Sequence, residues 1–164
     1  MATTLITGTS KGIGMATALA LARSGHKVYA TMRDPNRSPE LAQTAEAESL
    51  PIRISVMDVD SDDSVTETIG AIHKESDPID VLINNAGIER CGSIEKLDIS
   101  QFRAVMETNY FGALRCIQAV LPQMRTRKSG CIINITSVAD RISSSPMGSY
   151  AASKFALEAL SEAL

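Results

Sequence analysis

Tyr150 and Lys154 are the residues of this sequence whose types and spacing are best suited to chemistry. Positions i and i+4 of a helix lie on one face, so both side chains can point into a single cleft. An ammonium group beside a phenol favours the phenolate, which allows the phenol to exchange protons with a substrate. Ser137 precedes the tyrosine by 13 residues and adds a hydroxyl. Because Tyr-x-x-x-Lys also occurs by chance in ordinary helices, the pattern requires support from the rest of the chain.

A glycine-rich turn at 7–14, TGTSKGIG, lies between a β-branched run at 3–7 and an alanine-rich helix predicted at 13–24. Its three glycines allow a tight turn, close approach to a ligand and close packing of helix on strand. A pyrophosphate would bind at the N-terminus of that helix. The spacing is Gly-x-x-x-Gly-x-Gly and not Gly-x-Gly-x-x-Gly, and the turn could be only a tight connection. The strand before it and the helix after it favour nucleotide binding.

The turn after the second predicted strand, 27–32, should select the cofactor. An acidic residue about 20 positions past such glycines binds a ribose 2′-hydroxyl, whereas an arginine accommodates a 2′-phosphate. Asp34 satisfies the count, but it precedes Pro35 and is typical of a turn residue. We therefore favour Arg33, with Lys11 as a second cation for the same phosphate. The pattern indicates NADP(H), with NAD(H) the less favoured cofactor, unless both cations are simply solvated surface charges.

Polar residues also follow the third and fourth predicted strands, 52–57 and 79–83. Asp58 lies where open α/β sheets bind ligands, so it could meet an adenine amino group or equally cap a helix. The tetrapeptide NNAG at 84–87 could hold a loop against a cofactor ribose, although alone it would be only a turn.

Five strand-like runs alternate with helix-like segments, which predicts an α/β fold with a doubly wound, Rossmann-like parallel sheet. The predicted strands are 3–7, 27–32, 52–57, 79–83 and 131–135, and the predicted helices are 13–24, 38–49, 62–75, 100–127 and one from about 149 onward. Asn109 lies in the middle of the helix at 100–127, where asparagine is unfavourable. It is either a tolerated helix residue or a functional one.

The composition is that of an ordinary globular domain. The chain has 164 residues, of which 44% are hydrophobic and 21% charged, and a net charge of -3. This balance argues against nucleic-acid and membrane partners, and no long apolar segment precedes the first strand, so we expect a cytoplasmic protein. Cys91, Cys116 and Cys131 lack the clustering of metal sites or disulfide frameworks, so we predict reduced thiols and no metal site. Cys116 and Cys131 lie in apolar segments and are interpreted as small hydrophobic residues.

Together these motifs resemble the main branch of the short-chain dehydrogenase/reductases over the whole chain. The turn at 7–14 resembles that family's Thr-Gly-x-x-x-Gly-x-Gly, and 84–87 resembles its Asn-Asn-Ala-Gly. The residues that match its catalytic tetrad in order and spacing are Asn109, Ser137, Tyr150 and Lys154. The resemblance implies an NADP(H)-dependent oxidoreductase that interconverts a carbonyl and an alcohol by hydride transfer.

The resemblance also implies a role for each residue of the tetrad. Tyr150 would be the general acid or base, and Ser137 would hold the substrate oxygen. Lys154 would bind the nicotinamide ribose, and Asn109 would position a water through the helix distortion that it permits. The cofactor-binding residues implied are Gly8, Ser10, Lys11, Gly12, Ile13, Gly14, Arg33, Asp58, Val59, Asn85, Ala86, Gly87, Tyr150 and Lys154.

The family pattern continues past Leu164, so we expect 1–164 to be a single dinucleotide-binding and catalytic domain that is incomplete at its C-terminus. Five of the family's seven strands would be present, in the order 3-2-1-4-5. The resemblance implies a small hydrophobic carbonyl or alcohol substrate and a homodimer or homotetramer. The alternative function is a catalytically silent fragment that binds nucleotide or dimerises.

Overall fold

The computed structural model describes residues 1–75 and 78–164, and in these two ranges the chain forms a five-stranded sheet flanked by helices. The strands are β1 Thr3–Thr7, β2 Lys27–Met32, β3 Ile52–Val56, β4 Val81–Asn84 and β5 Cys131–Asn134. The helices are α1 Gly12–Arg23, α2 Glu40–Ala47, α3 Asp62–Glu75, α4 Ile99–Met106, α5 Gly112–Arg127 and α6 Gly148–Glu162. The described ranges also contain 3-10 turns at Pro35–Arg37 and Val138–Asp140 and a π turn at Glu107–Phe111.

The order of the sheet is β3-β2-β1-β4-β5, and each neighbouring pair of strands is parallel. The predicted doubly wound sheet and its strand order are therefore confirmed. Leu5 in β1 pairs with Tyr29 of β2 on one side and Leu82 of β4 on the other. The winding direction changes at β1, and in such sheets a crevice opens at the carboxyl ends of the strands flanking that change.

Both faces of the central strand are buried. Leu5 and Ile6 point to opposite faces, and neither is exposed to solvent. Leu5 belongs to a cluster with Ile117 of α5, whereas Ile6 belongs to a cluster with Leu41 of α2. The helices thus cover both sides of the sheet, which explains why its central strand is continuously apolar or β-branched.

The edge strand β5 is more exposed to solvent than the central strand β1. Ile133 is 42% exposed, and Cys131, predicted to be a small hydrophobic residue, is exposed as well. Cys116 in α5 is fully buried, and burial raises the pKa of its thiol to about 12, which fits the predicted packing role. Within the described ranges, no helix has both the length and the apolar composition needed to cross a bilayer.

Most predicted elements are present, but the continuous helix at 100–127 is wrong in its middle. The structure divides it into α4 and α5, separated by the π turn that contains Asn109. A π turn is rare and is found mostly at functional sites within helices. The helix predicted at 38–49 is also shorter, since α2 begins at Glu40 after Pro39 and ends at Ala47, before Ser49 with its φ of +52°.

Candidate functional site

The glycine-rich turn follows β1 and packs against the loop that follows β4. Gly8 has a φ of +70°, and a Cβ at this position would lie 2.7 Å from the Cα of Ala86. A Cβ at Gly14 would lie 2.5 Å from the carbonyl oxygen of Gly8 and would also meet the side chain of Asn85. Gly12 has a φ of +59°, but no atom of the described chain lies within 4 Å of its Cβ position. Two glycines are therefore needed for close packing, and the third faces open space.

Asn85 and Thr7 hold the two loops together. The Asn85 Nδ2 donates to the carbonyl oxygens of Thr7 and Gly8, each at 2.9 Å. In return, the Thr7 Oγ1 accepts from the backbone N–H of Asn85 at 3.0 Å and of Ala86 at 2.9 Å. The predicted ribose-binding asparagine thus uses its amide nitrogen to fix the glycine turn. Thr7 was not predicted as a site residue, although its place directly before the first glycine could have identified it.

A cleft of about 570 Å³ opens between these two loops and the ends of β2 and β3. This volume is in the range of small-molecule and cofactor sites. Its lining includes the following predicted cofactor-binding residues: Gly8, Ser10, Lys11, Gly12, Ile13, Arg33, Asp58, Val59, Asn85, Ala86 and Gly87. Gly14 is buried under the turn and does not line the cleft, and the predicted cofactor-binding residues Tyr150 and Lys154 do not line it either. The structure therefore brings the predicted residues from four separate loops to one place.

A second hollow adjoins the cleft and is rich in cations. Lys11, Arg33 and Arg37 all line it, and none of the three forms an ion pair within residues 1–75 and 78–164. Asp34 also lines the hollow, but its carboxylate accepts from the backbone N–H of Asn36 at 3.0 Å. The interpretation of Asp34 as a turn residue is confirmed. Arg37 was missed, although a third basic residue so close to Arg33 was visible in the sequence.

Asp58 lies in the turn after β3, and its predicted contact to an adenine amino group stays a prediction. Its carboxylate accepts from the backbone N–H of Asp60 at 3.1 Å, which fixes the turn after β3, and the residue also lines the cleft. Asp60 accepts a hydrogen bond from the Thr108 hydroxyl at 3.0 Å, and burial raises the pKa of its carboxyl group. The turn after β3 is thereby connected to the π turn.

The side chain of Asn109, in the π turn, makes three hydrogen bonds. The residue is 1% exposed, and its Oδ1 accepts from the backbone N–H of Ile88 at 2.8 Å. Its Nδ2 donates to the Ile88 carbonyl and to the Ser153 hydroxyl, both at 2.9 Å. The resemblance implied a distorted helix at Asn109, and the structure has one. The side chain itself connects the loop after β4 to helix α6.

Tyr150 and Lys154 lie on one face of α6, as their spacing predicts. The Lys154 Nζ is 5.7 Å from the centroid of the Tyr150 ring and donates to the carbonyl oxygen of Ile135 at 2.6 Å. Lys154 is only 5% exposed, and this burial lowers the pKa of its ammonium group, an effect that the nearby Asp140 partly opposes. The protein thus buries a cation beside a phenol.

Ser137 follows β5 and begins the 3-10 turn at Val138–Asp140. Its Oγ accepts from the backbone N–H of Ala139 at 3.2 Å, while the Asp140 carboxylate accepts from the Ser137 N–H at 3.5 Å. The hydroxyl hydrogen of Ser137 is not used in this capping arrangement and can be donated to a ligand. The 3-10 turn packs against α6, so Ser137 is carried on the segment next to the helix that holds Tyr150.

Comparison with known proteins identifies one family and several relatives whose sequences match nearly the whole chain. The family model for the short chain dehydrogenases matches residues 2–164. Retinol dehydrogenase 8 of Homo sapiens is 42% identical over 166 residues, which cover 99% of this chain and 52% of that protein. The 3-ketodihydrosphingosine reductase of Bacteroides thetaiotaomicron is 41% identical over 160 residues, which cover 98% of this chain and 56% of that protein. The chain spans about half the length of the curated relatives it matches.

A solved structure agrees with these sequence matches. The gluconate 5-dehydrogenase from Burkholderia cenocepacia, in complex with NADP and tartrate, superimposes with a TM-score of 0.92 and 31% sequence identity. The match covers 99% of this chain and 64% of that one.

Proposed function

Because the chain belongs to the short-chain dehydrogenase family, we propose that it binds NADP(H) and interconverts a carbonyl compound and an alcohol, with Tyr150 exchanging the proton. The observation that carries the proposal is the buried ammonium group of Lys154, 5.7 Å from the centroid of the Tyr150 ring. An isolated buried charge is costly, so its place beside a phenol at the ligand-binding edge of the sheet favours a catalytic role.

The cleft has the features that a dinucleotide requires. The glycine turn and the N-terminus of α1 would hold the pyrophosphate, since Gly12 leaves open space above the backbone. Lys11 and Arg33 would bind the 2′-phosphate, and Asp58 with Val59 would border the adenine. The loop at 84–87 and Lys154 would lie along the nicotinamide ribose. The gluconate 5-dehydrogenase that superimposes on this chain was solved with NADP, which supports the same cofactor class here.

Residues of this chain would transfer the proton and bind the substrate oxygen. When bound, NADP(H) supplies the hydride. The Tyr150 hydroxyl would donate a proton to the carbonyl oxygen during reduction and take it back during alcohol oxidation. Ser137, with its hydroxyl hydrogen unused, would donate to the same substrate oxygen and stabilise the negative charge that develops there.

The substrate is proposed to be a small hydrophobic carbonyl compound or alcohol. Three apolar side chains in the loops that precede α6 are exposed: Ile94 is 76% exposed, Val138 80% and Ile142 71%. Ile94 lies beside Gly148, the first residue of α6. Two relatives are named for retinol and for a ketodihydrosphingosine, which also favours an apolar substrate.

The experiment that tests the proposal compares the wild type with Tyr150→Phe. We expect turnover of a carbonyl panel with NADPH to fall about 10²–10⁴-fold, the usual contribution of a general acid. NADPH affinity, measured from cofactor fluorescence, should change little because the phenyl ring remains. Undiminished turnover in Tyr150→Phe would exclude the tyrosine as the proton donor.

The alternative is a protein that binds nucleotide or self-associates without turnover. Phe111 and Phe155 are 43% and 45% exposed, on the π turn and on α6, and such aromatic groups favour a partner surface. This alternative predicts NADPH binding and a dimer or tetramer in light scattering, with no reduction of any carbonyl compound. Measurable reduction by the wild type would exclude it.

A further inference from the structure

Ser153 is the buried polar residue between Tyr150 and Lys154. It is 0% exposed, and its hydroxyl donates to the carbonyl oxygen of Tyr150 at 2.7 Å. The Ser153 Oγ in turn accepts from the Asn109 Nδ2 at 2.9 Å. A single hydroxyl therefore joins the backbone of Tyr150 to the side chain in the π turn.

The connection continues beyond Asn109. The remaining hydrogen bonds of that side chain go to the backbone N–H and carbonyl of Ile88, in the loop after β4. This loop also lines the cofactor cleft. The path thus runs from the cleft through Asn109 and Ser153 to Tyr150, through bonds of 2.7–2.9 Å.

The first turn of α6 is also fixed at Ser149, whose hydroxyl donates to the carbonyl oxygen of Arg90 at 2.8 Å. The residues between Tyr150 and Ser153 are Ala151 and Ala152, whose methyl groups pack but have no directional contacts. A hydrogen bond restricts both distance and angle, whereas apolar packing alone is non-directional. The Ser153 hydroxyl therefore supplies the directional contact that joins the backbone of Tyr150 to Asn109 of the π turn.

We propose that Ser153 is a positioning residue for the proton transfer. Its hydroxyl fixes the position of Tyr150 and Lys154 relative to Asn109. The inference rests on the proposed function of Tyr150 and adds a residue that acts only through it. Small displacements of a catalytic group are costly, since errors near 1 Å can lower rates about a hundredfold.

Helix α6 contains its own matched control. The Ser161 hydroxyl donates to the carbonyl oxygen of Leu157 at 2.7 Å and accepts from the Asn134 Nδ2 at 2.8 Å. This repeats the arrangement at Ser153, with an asparagine donor and a carbonyl acceptor, eight residues farther along the helix. Ser161→Ala therefore removes the same kinds of bond at a distance from the phenol.

The experiment compares Ser153→Ala with Ser161→Ala in the full-length protein. We expect Ser153→Ala to lower kcat about tenfold while KM and NADPH affinity stay within about twofold of the wild type. Ser161→Ala should leave kcat unchanged, even if it lowers the midpoint of unfolding by as much as Ser153→Ala does. If Ser153→Ala does not fold, Ser153→Cys replaces it, because a thiol keeps the shape of the side chain at a slightly larger size but is a weak donor.

A second readout does not depend on turnover. The chain has 3 tyrosines and no tryptophan, so its near-ultraviolet circular dichroism reports mainly on tyrosine environments. The difference between the wild type and Tyr150→Phe isolates the Tyr150 band. That band should weaken when the difference is measured in the Ser153→Ala background and persist in the Ser161→Ala background.

Two results would overturn the inference. One is equal kcat in Ser153→Ala and the wild type together with an unchanged Tyr150 band, and the other is equal loss of kcat in both serine variants. Either result leaves the proposed function intact, since that function fails only if Tyr150→Phe keeps full turnover.

Discussion

The two sides of the carboxyl edge of the sheet differ in how their polar groups are used. On the proposed cofactor side, after β1 and β2, Lys11 and Arg33 are exposed and lack ion-pair partners within the described part of the chain. On the proposed catalytic side, around α6, Asn109, Ser153 and Lys154 are buried, and each is hydrogen-bonded to protein. The first arrangement leaves charge available for a ligand, and the second fixes geometry before any ligand arrives.

The largest expected effect is at the glycine turn, where the cofactor side depends on close packing. A Cβ at Gly14 would lie 2.5 Å from the Gly8 carbonyl oxygen, whereas one at Gly12 would meet no described atom within 4 Å. We expect Gly14→Ala to lower the free energy of unfolding by about 2–3 kcal/mol through overpacking. Gly12→Ala should cost about 1 kcal/mol, from its positive φ alone.

Urea unfolding of the two variants measures this difference. Equal losses in Gly12→Ala and Gly14→Ala would mean that the turn is not tightly packed against the loop after β4. The expected contrast between Gly12, which faces open space, and Gly14, which is closely packed, would then not hold.

A smaller effect is expected at Arg33, and it should appear in binding and not in stability. Arg33→Ala should weaken NADPH about tenfold, or ~1.4 kcal/mol, because a charge-assisted contact to the 2′-phosphate is lost. NADH affinity should stay unchanged, as should the midpoint of unfolding. Arg125→Ala, an exposed arginine at the end of α5, is the control. Equal weakening of NADH and NADPH would remove Arg33 from the phosphate site.

The smallest effect is a pH dependence on the catalytic side. Burial lowers the pKa of Lys154 below its ordinary value of 10.5, so between these two values the unfolded chain binds more protons than the folded one. Stability from this residue therefore rises with pH across that window. Lys154→Met should abolish the rise, whereas Lys11→Met, at an exposed position, should follow the wild-type curve.

Unfolding measured at several pH values from neutral to 10.5 tests this sign. A curve for Lys154→Met parallel to that of the wild type would mean that the ammonium group is not destabilised by burial. The charge of Lys154 would then behave like the charges of the exposed residues Lys11 and Arg33.

The features that local spacing determines were predictable from the sequence. The parallel sheet, the glycine turn and the shared face of Tyr150 and Lys154 follow from alternation, from backbone requirements and from the period of a helix, whereas the strand order was implied by the family resemblance. The identity of Asp34 as a turn residue was likewise local, since its bond to Asn36 spans two positions.

The features that distant contacts determine were not predictable. The side chain of Asn85 fixes the carbonyl of Thr7, 78 positions earlier, and so supports the turn instead of only facing a ribose. The family resemblance implied a helix distortion at Asn109, but the form of the π turn at Glu107–Phe111 and the hydrogen bonds of Asn109 to Ile88 and Ser153 depend on distant segments. No pattern in the segment itself encodes those partners.

The π turn makes this segment sensitive to its length more than to its exact sequence. Each residue of a helix turns the chain by about 100°, so deleting one residue from Glu107–Phe111 would rotate α5 relative to α4 by that angle. Asn109 could then no longer face Ile88 and Ser153 while Gly112 packs against Val59. Exposed residues of this stretch such as Phe111 can be exchanged in protein engineering, whereas insertions and deletions there separate the cofactor cleft from the catalytic helix.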